Sequence, residues 1–131
     1  MNTKVLMTVS AAIMGVVGIL LTFLPEELLG YISSGEQNPL LLILQILGAL
    51  YFAFAMLNWM ARGNIIGGIY SRPIAIGNVT HFFVGSMALL NSESQQYSVF
   101  IWVAGVVYLA LAISFGLVLF RHPGNESTSS I

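Results

Sequence analysis

The chain contains no cysteine. That excludes disulfides, thiolate nucleophiles, iron–sulfur clusters and cysteine-ligated zinc, and removes any cue to a redox compartment. Charge is nearly as scarce. Acidic and basic residues make up 7% of 131 residues, whereas a soluble domain carries roughly 25% because its surface faces water. With 57% of residues hydrophobic, a water-facing globule would leave a large apolar area uncovered. Only four residues are basic and the formal net charge is −1, which excludes electrostatic attraction to nucleic acid. Catalytic patterns are missing too. The apolar runs hold no acidic pair, no serine has a nucleophile-elbow setting, and Gly67-Gly68 lacks the lysine and strand of a phosphate loop.

What the chain does have is four long apolar stretches, about residues 5–24, 39–60, 73–90 and 97–120. Roughly 20 residues at 1.5 Å each match about 30 Å of hydrocarbon. The pattern predicts an all-α fold: a transmembrane four-helix bundle, one domain over 1–123, with the lipid bilayer as its solvent. Residues 124–131 are expected to be a short disordered tail. Lys4 gives the first stretch a positive start, as in a signal peptide. The stretch is too long for one, and it ends in Phe23-Leu24-Pro25-Glu26-Glu27 without a small-residue cleavage site. A retained helix is expected.

The few charges alternate along the chain. Lys4 precedes the first stretch, Arg62 and Arg72 lie between the second and third, and Arg121 follows the fourth. Glu26, Glu27, Glu36 and Glu93 fall in the other two connections. Lys and Arg flanking membrane spans stay on the cytoplasmic side. These four topology-setting cations therefore predict a cytoplasmic N-terminus and a cytoplasmic C-terminus. Trp59 beside Arg62, and Tyr97, Phe100 and Trp102 at the start of the last stretch, fit the aromatic belts of such spans. In the first connection, Pro25 followed by two glutamates suits a helix start. A short helix and an irregular loop both remain open there.

Polar residues inside the runs are the candidate site. The third stretch carries Asn78, Thr80, His81 and Ser86, so it must turn a face towards its neighbours. Aligned by depth, His81 lies level with Gly15, Tyr51 and Tyr108, and Asn78 lies about 5 Å nearer the cytoplasm on the same face. Ser10, Asn58 and Ser114 share that inner half, while Gln45 stands apart, nearer the outside. The candidate intramembrane cluster is therefore His81, Asn78, Tyr51, Tyr108, Ser114 and Ser10. An imidazole titrates near neutral pH and can carry a proton. Alternatively, a neutral His81 donates one hydrogen bond to Tyr51, Tyr108 or a carbonyl, a helix-joining bond of roughly 0.6–2 kcal/mol. One intramembrane histidine without acids or cysteines leaves a cation short of ligands, so neither a metal nor a cofactor is expected. Small residues four apart allow helices to approach closely: Ala11 and Gly15, Ala49 and Ala53, Ala112 and Gly116. Gly15, Gly48, Ala49, Gly85 and Gly116 are the candidate packing positions.

The run Gln45-Ile46-Leu47-Gly48-Ala49-Leu50-Tyr51-Phe52, continued by Asn58-Trp59-Met60-Ala61-Arg62 and Gly67-Gly68-Ile69-Tyr70-Ser71-Arg72-Pro73, resembles small four-helix membrane proteins of bacteria, within the DoxX-like grouping. The resemblance covers the middle half of the chain. It implies a bacterial cytoplasmic membrane and a four-helix bundle, and it brings no catalytic residue. The expected function is that of a multi-pass accessory or interaction protein without identifiable catalytic chemistry, its partner a second copy or another membrane protein. The alternative is an oligomeric small-molecule or proton-linked transporter built around His81 and Asn78.

Overall fold

The computed structural model describes residues 2–32, 38–63, 71–91 and 99–120. Arg121, Glu36, Glu93, Tyr97, the Gly67-Gly68 pair and the 124–131 tail lie outside the described residues. Those described are helical apart from short turns and form five helices: α1 (Thr3–Phe23), α2 (Pro25–Ile32), α3 (Asn38–Ala61), α4 (Arg72–Leu90) and α5 (Val99–Phe120). Four of them, all but α2, are long and apolar enough to cross a membrane.

Each boundary has a local cause. Asn2 caps α1, its Oδ1 accepting the Lys4 backbone N–H at 3.1 Å, which satisfies one of the donors a helix start leaves open. Pro25 ends α1, because its ring and missing N–H cannot extend the ladder. The helical path nevertheless resumes at once, with Leu28 N bonded to Leu24 O at 3.2 Å. The open choice in the first connection resolves as a helix. In α2, Glu26 and Glu27 occupy the first turn and are exposed, while Leu29 is buried and the helix packs on α3. At α4 the Ser71 side chain makes no cap bond, but its carbonyl accepts from Ala75 N at 3.2 Å and Pro73 sits in the first turn.

Large apolar side chains cover the surface, and several polar ones are buried beside the apolar core. Ser10, Asn58, Asn78 and Ser86 have no exposed surface, while Phe100 and Phe120 are more than four-fifths exposed. Such a surface is unsuited to water and suited to lipid, which is as apolar as a protein core.

The internal contacts group into two units. The first is Met7–Arg62 and the second is Met1–Leu6 with Gly63–Ile131. In the first unit α1 and α3 run antiparallel, since Ser10 meets Asn58 while Gly18 meets Gly48. Ser10, Met14, Gly15 and Gly18 on α1 meet a seam of Gly48, Phe52, Ala55 and Asn58 on α3. In the second unit α4 and α5 are likewise antiparallel, because Phe82 meets Phe115 while Leu90 meets Gly105. The buried residues are Ala75, Asn78, Phe82 and Ser86 on α4 and Gly105, Tyr108, Leu111, Ala112, Phe115 and Val118 on α5. Alternating steps of three and four residues are the rhythm of left-handed helix pairs crossing at about 20°.

Candidate polar sites in the two units

In the first unit the α1–α3 seam holds a short hydrogen-bond relay. Asn58 Nδ2 donates to Ser10 Oγ at 3.1 Å, and Ser10 Oγ donates onward to the Met7 carbonyl at 3.0 Å. The same amide nitrogen lies 3.8 Å from Met14 Sδ. The Ser10 hydroxyl thus both accepts and donates, so its proton is already committed. Two turns from this relay the backbones meet. A Cβ on Gly18 would lie 2.8 Å from Phe52 N, and one on Gly48 would lie 2.8 Å from Thr22 N and 2.9 Å from Gly18 O. The Thr22 hydroxyl at this crossing donates to Gly18 O at 2.8 Å. Glycine is required at both positions because main chain occupies the space any side chain would take. At the end of α3 the Arg62 guanidinium stacks over the Trp59 indole, 3.3 Å from the ring centroid. A contact of this kind contributes about 0.5–1 kcal/mol at an exposed site.

The second unit is built around rings. Phe82, fully buried, meets Tyr108 edge to face at 5.2 Å and 84°, and stacks on Phe115 at 5.8 Å and 14°. His81 touches the same group, its ring 5.2 Å from Phe82 and 5.9 Å from Tyr108. Gly85 makes room for the tyrosine, since a Cβ there would come within 2.9 Å of Tyr108 Cδ1. Asn78 is fully buried one turn from His81 and donates to its own helix at Ile74 O, 2.9 Å away. Ser86 and Ser114 do likewise, donating at 2.8 Å to Phe83 O and Ala110 O.

Of the six candidate cluster residues, His81, Asn78, Tyr108 and Ser114 belong to the second unit, and Ser10 and Tyr51 to the first. His81 and Tyr108 are in ring contact; Asn78 shares the α4 seam, and Ser114 bonds within α5. Among the candidate packing positions, Gly48 and Gly85 lie at close approaches, and a Cβ on Gly15 would make ordinary contact with Ala55 Cβ at 3.7 Å. Ala49 is exposed, and no described atom comes within 4 Å of where a Gly116 Cβ would lie. Lys4 and Arg72 are exposed at their helix starts, and Arg62 is partly covered. Depth alignment places Asn58 in the inner half without pairing it to Ser10, and it passes over Gly18 and Thr22. The signal for both is present in the sequence: Ala11, Gly15, Gly18 and Thr22 fall at steps of four, three and four.

Among the described residues no three His, Cys, Asp or Glu side chains come together as a metal site would need. Comparison with known protein families, curated proteins and solved structures finds no match. The functional reading therefore rests on the residues and their geometry.

Proposed function

We propose that this chain is a multi-pass protein of the bacterial cytoplasmic membrane, both termini cytoplasmic, acting as an accessory or interaction protein and not as an enzyme. The resemblance to the DoxX-like grouping belongs to the same reading. What carries it is how the buried polar side chains are used. Asn58, Ser10, Asn78 and Ser86 each spend a donor on a neighbouring helix or on their own backbone. Groups committed in this way join helices and hold their geometry, the use membrane proteins make of most buried amides and hydroxyls. The alternation of cations and acids along the chain supports the orientation.

Affinity capture of the intact protein after cross-linking in its native membrane tests the function. A defined partner chain, or a second copy, is the expected product. A monomer with nothing attached would overturn the reading. Reporter fusions within 64–70 test the orientation, and an external signal there would reverse it.

One observation favours the transporter alternative: the α4 seam carries titratable His81 against Tyr108, with the amide of Asn78 one turn away. His81→Ala separates the two readings. It abolishes proton-coupled flux in reconstituted vesicles if this alternative holds, and it leaves partner capture intact if the interaction reading holds.

A further inference from the structure

Gln45 is a polar residue that neither helix seam uses. It lies about two turns into α3, within the apolar stretch Leu40–Ala61, and is exposed. Among the described residues no hydrogen bond engages its amide. Hydrocarbon offers neither donor nor acceptor, so an amide facing lipid keeps its hydrogen-bonding demand unmet. Of the four long helices α3 is also the least covered, with 11% of its apolar window buried. Its seam residues Gly48, Ala55 and Asn58 occupy one face; Gln45, Ala49, Ala53 and Met56, at steps of four, four and three, line a face that flanks it, and all four are exposed. From this juxtaposition we propose that a second copy of the chain packs on the Gln45 face of α3, the two Gln45 amides hydrogen-bonded to each other.

The proposal rests on α3 being a membrane span and deepens the interaction reading by naming the partner. Two copies inserted alike carry Gln45 at the same depth. A two-fold axis along the membrane normal then sets each residue opposite itself. An amide has both donor and acceptor, so two identical ones satisfy each other. A different chain would need its own polar group at that depth. Ala49 and Ala53 keep the rest of the face low where the backbones draw together. A single polar pair in an apolar seam also specifies register, because any sliding leaves both amides unpaired.

The absence of cysteine makes the test direct. Ala49→Cys and Ala53→Cys variants of the full chain are oxidised in native membranes with a membrane-permeant catalyst. Val16→Cys on α1 and Ile113→Cys on α5, both exposed, serve as controls. Disulfide-linked dimer is expected at positions 49 and 53 and not at the controls. In the Ala53→Cys background, Gln45→Leu is expected to lower the dimer fraction several-fold, as loss of one interhelical bond would, while Gln45→Asn retains most of it. Gln45 is outside both seams, so Gln45→Leu is expected to keep the helix content and melting profile of the parent. Cross-linking no stronger than at the controls, or yields unchanged by Gln45→Leu, would overturn the proposal. Capture of a different membrane protein without any α3 cross-link would also overturn it, and would leave the interaction reading standing.

Discussion

The α1–α3 and α4–α5 pairs share the same alternating three-and-four rhythm but fill their seams in opposite ways. In the first pair main chain meets main chain at Gly18 and Gly48, and one amide–hydroxyl bond joins the helices farther along. In the second pair the rings of Phe82, Tyr108 and Phe115 occupy the space between backbones. Two apolar helices can therefore associate through proximity or through bulk, and the two solutions tolerate change differently. A side chain pushed into a ring finds atoms that can rotate away. One pushed into backbone does not.

The most damaging way to break this contrast is Gly48→Leu. Its side chain has to displace Thr22 and Gly18 main chain, and a loss of about 3 kcal/mol or more is expected from such overpacking. Unfolding by steric trapping in bicelles measures it; a variant as stable as the parent would mean that the helices do not meet there. Phe82→Ala comes next. Removing the central ring of the second seam is expected to cost about 3 kcal/mol, the low end for a buried phenylalanine, because lipid is as apolar as the core it leaves.

Asn58→Leu sharpens the comparison, since it deletes the Asn58–Ser10 link of the first seam and leaves Ser10 bonded to Met7. About 1 kcal/mol is expected, with a double-mutant cycle against Ser10→Ala showing most of it as coupling. An additive cycle would mean that the bond contributes nothing. The smallest effect belongs to Gly116→Ala. Its methyl meets no described atom, so stability within about 0.5 kcal/mol of the parent is expected, and a large loss would place an unseen neighbour on that face of α5.

The long helices were legible in the sequence because membrane-length apolar runs leave little else for them to be. The chain-breaking Pro25 and the Trp59–Arg62 pair marked two of their ends. The short α2 was not decidable, since a segment of 8 residues has too little propensity of its own and is settled by packing through Leu29. Lateral pairing was less legible still. In water an amphipathic stripe points to the core, but lipid is as apolar as the core, and the stripe fades. Small-residue spacing therefore marks Ala49–Ala53 and Ala11–Gly15 alike, although Ala49 and Ala53 are exposed and Ala11 is buried. Depth alignment grouped residues by height and could not say which helix stands beside which. It placed Ser10 and Asn58 in the same layer without revealing the bond between them.

The Arg62–Trp59 stack has a mechanical consequence. In a bilayer the cation is held at the water boundary and the indole at the headgroup level, and their 3.3 Å contact moors both to one height. The apolar stretch of α3, Leu40–Ala61 with 22 residues, rises about 33 Å against roughly 30 Å of hydrocarbon. With that end tethered, the surplus cannot be shed by sliding downward. In such a bilayer the helix has room to lean or to lift its opposite end, and how far it leans is set by its packing against neighbouring helices and by this anchor.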